Sequence, residues 1–219
     1  MKNKKDILLA LVIGEICGLL MFFIIKNLAT ENPALASLIP FANYLPLAFP
    51  LLCALGMFIV GLLEGVMPSL YQVAKFVLVG GTNFLIDMGV LNILIFISGV
   101  SVGMTQSAFK ATSFTVAVVN SYFWNKFWVF KRTRTETAGK EFLQFVMVSI
   151  IGFVINIGVD KALVDGLGPI GNIPVKTWAQ LAAMGSAIIA LFWNFAGYKF
   201  IVFDSNKVTE KQDGQPSAL

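Results

Sequence analysis

The sequence predicts an all-α polytopic membrane protein of six transmembrane helices: an N-terminal hairpin, then two tandem two-helix repeats, with both termini cytoplasmic. Three observations lead there. The chain is 57% hydrophobic and 13% charged, whereas soluble domains carry roughly 25% charged residues. Six apolar runs approach or exceed the ~20 residues that cross a bilayer. Two distant stretches also share one ending, Asn120-Ser-Tyr-Phe-Trp-Asn-Lys-Phe-Trp-Val-Phe130 and Trp193-Asn-Phe-Ala-Gly-Tyr-Lys-Phe-Ile-Val-Phe203, each closing an apolar run with aromatics, one lysine and Val-Phe.

The runs cover residues 7–25, 45–66, 76–97, 109–130, 142–164 and 178–203. The first follows Lys2, Lys4 and Lys5, as a signal peptide would, but its apolar stretch exceeds the ~7–15 residues of such a segment. It is therefore read as a true span. Pro33, Pro40, Pro46 and Pro50 mark the first connection and the opening of the second span, where proline is tolerated. Gly166, Gly168, Pro169, Gly171 and Pro174 mark the connection after the fifth. Residues 131–141 read as a solvated cytoplasmic loop and 206–219 as a disordered polar tail. The expected organisation is a hairpin at 1–70 and a four-helix domain at 71–205, with repeats at 75–131 and 144–204.

Positive charge sets the orientation. With the N-terminus inside, twelve of the 16 Lys and Arg residues fall on the cytoplasmic side, leaving Lys26, Lys110, Lys161 and Lys176 opposite. The basic residues are thus topology signals, and nucleic acid is not an expected partner. Cys17 and Cys53 fall inside spans, and the chain has no histidine, so neither a disulfide framework nor a metal or triad-type catalytic site has its usual parts. No cofactor is expected.

The repeat extends upstream of the shared ending. Phe76-Val-Leu-Val matches Phe145-Val-Met-Val, and Phe84, Ile86, Gly89 and Val90 match Phe153, Ile155, Gly158 and Val159. That offset is 145 − 76 = 69 residues, while the endings are offset by 202 − 129 = 73. Two-span units keep one orientation, so the repeats should be related by an axis along the membrane normal.

Polar residues within spans are the functional candidates, because charge in hydrocarbon costs at least ~2.5–3.5 kcal/mol. Asp87 lies eleven residues into the third span, roughly 16 Å deep at ~1.5 Å per residue, with Asn156 as its repeat partner and Asn83 one turn earlier. Lys110 on the next span is its nearest cation by topology. An Asp–Lys packing pair and a sugar-hydroxyl site are both open readings. Asn120, Asn125 and Asn194 line the inner half of spans four and six, where asparagines turn inward to meet partners. Glu15 sits in Gly14-Glu-Ile-Cys-Gly18 and Glu64 in Gly61-Leu-Leu-Glu-Gly65, small-xxx-small patterns that let helices approach closely. The stretch from Ile13 to Met21 is similar to the first helix of small multidrug resistance transporters, whose glutamate exchanges protons, so Glu15 is a candidate for proton coupling or a protonated packing residue.

Residues 73–204 resemble the GtrA family of small bacterial membrane proteins. The resemblance rests on Lys75-Phe-Val-Leu-Val-Gly-Gly-Thr-Asn83, Asn125-Lys-Phe-Trp-Val-Phe130 and Asn194-Phe-Ala-Gly-Tyr-Lys-Phe-Ile-Val-Phe203. The family's repeats end close to Asn-Phe-x-x-Asn-Arg-x-Trp-Val-Phe. Here lysine replaces arginine, Tyr198 replaces the second asparagine and Ile201 the tryptophan, so the second motif is degraded. The hairpin lies outside the resemblance.

Members are associated with cell-surface polysaccharide and teichoic acid glycosylation. The resemblance implies a non-enzymatic protein of the cytoplasmic membrane that flips a polyprenyl-phosphate-linked sugar or the carrier itself. Lys126 and Lys199 would then neutralise the lipid phosphate, flanked by Tyr122, Trp124, Trp128 and Tyr198. Ordinary snorkelling within an aromatic belt is the competing reading of the same residues. Two other functions stay open, a proton-coupled small-molecule exporter using Glu15 and a scaffold for a membrane glycosyltransferase. Membrane lipids and a second copy of the chain are further expected partners.

Overall fold

The computed structural model describes residues 4–30, 32, 36–133 and 138–204. Every regular element among them is helical. The polar tail at 206–219 lies outside the described residues.

The helices are α1 (Lys4–Ala29), the single turn α2 (Ile39–Ala42), α3 (Leu45–Leu62), α4 (Pro68–Ser98), α5 (Gly103–Trp124), α6 (Ala138–Lys161) and α7 (Val175–Gly197). Five are long and apolar enough to cross a membrane: α1, α3, α4, α6 continued to Leu167, and α7 continued to Val202. α5 has 22 residues but a more polar opening turn, Gly103-Met-Thr-Gln-Ser, and carries Lys110.

Three helices run on as π-helical turns: Asn125–Val129 after α5, Ala162–Leu167 after α6 and Tyr198–Val202 after α7. In the first and third, Phe130 N–H donates to Asn125 O at 2.9 Å and Phe203 N–H to Tyr198 O at 2.8 Å, bonds spanning five residues. Both lie on the duplicated ending, with matching bounds: 198 − 125 = 73 and 202 − 129 = 73.

Two boundaries differ from the sequence expectation. α4 begins eight residues early, at Pro68, because proline fits the first helical turn and follows Met67 in a non-helical conformation. Tyr71 and Lys75 are thus helical. Glu141 is also helical and 6% exposed, so the stretch expected as a solvated loop ends earlier.

The described residues divide into two compact units, one ending at Lys131 and the other beginning at Arg132. In the first, α1 runs antiparallel to α3. A Cβ on Gly14 would fall 2.5 Å from Pro50 Cα, and one on Gly18 2.5 Å from Leu45 O, so the backbones touch through this glycine pair. Gly65, in the second small-xxx-small pattern, lies beyond α3 and meets nothing within 4 Å.

α1 also runs parallel to α4 along its whole length. Asp6 meets Tyr71, Cys17 Sγ lies 3.3 Å from Thr82 Oγ1, and Asn27 Nδ2 donates to Asn92 Oδ1 at 2.9 Å, each pair 65 residues apart. Ala10, Met57 and Tyr71 form the buried core where α1, α3 and α4 meet. α5 packs antiparallel on α4. In the second unit α7 packs antiparallel on α6, and a Cβ on Gly197 would fall 2.5 Å from Val148 Cγ1.

Candidate functional site

Each unit carries a seam between two antiparallel helices, and the predicted polar residues distribute along it. In the first unit Ser113, 0% exposed, donates to Asp87 Oδ1 at 2.6 Å, and Lys110 Nζ donates to Asp87 Oδ2 at 2.5 Å. The Lys110 side chain is 50% exposed. The extended helix places this cluster off centre: Asp87 stands 87 − 68 = 19 residues from Pro68 and 98 − 87 = 11 from Ser98. In the second unit Asn156 Nδ2 donates to Ser186 Oγ at 3.4 Å. These positions match by the sequence offsets, 156 − 87 = 69 and 186 − 113 = 73. Lys110 corresponds to Ala183, so the charged pair becomes neutral at both members.

One turn along, Asn83 and Asn194 each hold a buried Oδ1 without a hydrogen-bond partner among the described residues. They sit at one level of the two seams, on opposite helices. Asn83 on α4 corresponds to Gly152 on α6 (152 − 83 = 69), and Ser121 on α5 to Asn194 on α7 (194 − 121 = 73). The Asn194 carboxamide lies directly over Gly152, where a Cβ would collide with it. Sequence comparison alone missed this exchange, because the residue types at each position differ. Asn120 Nδ2 on α5 is likewise buried without such a partner.

The seams end in the π turns. Asn125 is 1% exposed and its Nδ2 donates to Ser121 O at 2.8 Å, while Oδ1 has no partner among the described residues. Lys126 is also 1% exposed. Its Nζ lies 3.1 Å from Tyr122 OH, 5.5 Å from the centre of that ring and 5.8 Å from the Phe127 ring. Lys199 is half-buried, with Nζ 5.6 Å and 5.7 Å from the Phe195 and Phe200 rings. Each lysine is thus flanked by the ring four residues before it and the ring that follows it, an arrangement that favours a cation.

The four flanking aromatics do not form a belt. Tyr122, Trp128 and Tyr198 are buried at 5%, 4% and 4%, and only Trp124 is half-buried. Tyr198 stacks on Phe145 at 4.2 Å and bonds Ser149 Oγ at 2.6 Å. Trp128 Nε1 donates to Asp6 Oδ1 at 2.9 Å. Glu15 is exposed on α1, off the Gly14–Gly18 face, and is not brought to either seam.

Hydrophobic helices around polar seams that end in aromatic-flanked lysines define a multi-pass membrane protein. Residues 75–203, more than half of the chain, match the GtrA/DPMS transmembrane domain family, and the chain belongs to that family. This is a family associated with handling lipid-linked sugars for glycosylation. A 76-residue stretch is 36% identical to the uncharacterized membrane protein YngA of Bacillus subtilis (strain 168), covering 35% of this chain and 47% of that protein. The chain therefore spans about half the length of the curated relative it matches. No solved structure matches.

Proposed function

We propose that the protein translocates a polyprenyl-phosphate-linked sugar, or the polyprenyl phosphate itself, across the bacterial cytoplasmic membrane. Six spans, tandem repeats and cytoplasmic termini belong to this proposal, with α5 as the remaining crossing. Translocation makes no bond. It requires a cation for the phosphate, acceptors and donors for sugar hydroxyls, and lipid beside them for the prenyl chain.

The burial of Lys126 carries the reading. A lysine that merely snorkels leaves its ammonium in water, whereas this one is 1% exposed between aromatic rings. Lysine holds phosphate as a point charge, and the rings of Tyr122 and Phe127 beside Lys126 suit a cation at this position. The carboxamide oxygens of Asn83, Asn125 and Asn194, unpartnered among the described residues, suit hydroxyl donors, because a buried polar atom left unpaired costs ~1–3 kcal/mol. A π turn is a common device at functional positions, and here one carries the lysine of each motif.

The test is translocation of a fluorescent polyprenyl-phosphate sugar in vesicles containing the purified chain. Charge-assisted hydrogen bonds contribute about 1.5–3 kcal/mol, so Lys126→Gln should slow transfer about tenfold or more while Lys126→Arg retains it. Full-rate transfer by a folded Lys126→Gln protein refutes the assignment.

A further inference from the structure

α1 lies outside the matched family region, yet its Asp6 bonds Lys75 and Trp128 within it and Tyr71 just before it. Lys75 Nζ donates to Asp6 Oδ2 at 2.5 Å, Tyr71 OH donates to the same oxygen at 3.1 Å, and Trp128 Nε1 donates to Oδ1 at 2.9 Å. The Lys75 ammonium also lies 4.7 Å from the Tyr71 ring centre and 5.6 Å from that of Trp128. Three donors, from α4 and from the π turn after α5, converge on one carboxylate.

The cation is fully covered and the anion slightly less so: the Lys75 side chain is 2% exposed and that of Asp6 14%. A buried amine and an indole N–H aimed at one point demand a negatively charged acceptor. The acceptor here comes from the first turn of α1, and helix ends open at least cost. Two oxygens of a phosphate present the same paired acceptors and at least the same charge as a carboxylate.

We propose that Lys75, Tyr71 and Trp128 form a phosphate site, for a phosphomonoester or phosphodiester group, and that Asp6 is its resident occupant, displaced when phosphate binds. α1 thereby acts as a plug on a site belonging to the helices behind it. The site is distinct from Lys126 and does not require that the lipid be moved.

Binding is measured on the full chain in nanodiscs of zwitterionic lipid, with a polyprenyl phosphate as probe and inorganic phosphate as competitor. An occupant that holds a site nine-tenths of the time conceals about tenfold in affinity, so Asp6→Asn should tighten binding about tenfold. Adding Lys75→Gln should abolish that gain. In the unaltered chain the probe should remove hydrogen-exchange protection from the first two turns of α1. Competition by inorganic phosphate assigns the site to the phosphate group alone, and tightening without competition assigns it to the lipid head. Either sustains the proposal. Unchanged or weaker binding by a folded Asp6→Asn chain overturns it. Should that variant fail to fold, unchanged exchange in α1 of the native chain does so instead. Because binding is read, a failure of translocation leaves this result unaffected.

Discussion

The Ser113 hydroxyl, fully buried, donates to the Asp87 carboxylate at 2.6 Å. Its position-matched pair, Asn156 and Ser186, meets with the direction reversed, the amide donating to the hydroxyl. A hydroxyl accommodates both, since it donates and accepts, so serine stays at both positions while its partner alternates between acid and amide. The acid is accompanied by Lys110, and the amide by Ala183.

Asp87→Asn should therefore be mild. It gives the first seam the amide–serine pair of the second, and Lys110, half-exposed and seven residues from the start of α5, can turn its ammonium to the membrane edge, so the lost pair should cost only about 1 kcal/mol. Ser113→Ala should cost about 1 kcal/mol or more, because it removes a buried donor from the carboxylate. Thermal unfolding in detergent ranks the two, and a larger loss from Asp87→Asn contradicts this account.

The Asp6–Lys75 pair should be among the costlier to break. Removing one member of a buried ion pair typically costs about 3–5 kcal/mol, and the partial exposure of Asp6 reduces that to about 2–4 kcal/mol for Lys75→Met. Trp128→Phe, which leaves the pair and deletes one hydrogen bond, should cost about 1 kcal/mol from that bond. A double-mutant cycle between Asp6→Asn and Lys75→Met measures the coupling, and additive losses would show that the pair contributes nothing.

Glycines separate sharply by environment. Gly14→Ala and Gly18→Ala place a methyl against backbone atoms of Pro50 and Leu45, and should each destabilise by about 1–3 kcal/mol as overpacking does. Gly80→Ala and Gly81→Ala meet open space on α4 and should stabilise by about 0.5–1 kcal/mol through helix propensity. Denaturant unfolding of the four variants gives the signs.

The two motif lysines should not be equivalent. Lys126 is buried beside Asn125, whereas Lys199 is half-buried beside Tyr198, which is occupied with Ser149 and Phe145. Lys199→Gln should therefore slow vesicle translocation less than Lys126→Gln. Equal losses would assign the two motifs equal roles.

Composition and run length made the helical membrane architecture legible, and the repeated ending led to the family and to the two lysines. Side-chain pairing was less visible. Asp6 reads as one charge in a basic N-terminal segment and Lys75 as a topology signal, and only the parallel packing of α1 on α4 brings them together across 69 residues. The π turns were hidden because the residues that widen a turn also suit an α-helix. The exchange of asparagine between facing helices at Asn83 and Asn194 escapes position-by-position comparison, which expects like opposite like. Residue type cannot tell an indole that flanks a lysine or lies in lipid headgroups from one bonded to a carboxylate, so the Trp128–Asp6 bond is not visible in the sequence.

The side-by-side alignment of α1 with α4 bears on how such a chain is extended. A neighbour pointing the same way as the first helix of a domain cannot be supplied by one additional crossing, because a lone crossing would turn everything after it upside down. α3 provides the return stroke. Coming as a pair, α1 and α3 leave the sidedness of the helices that follow unchanged and give α4 a further flank.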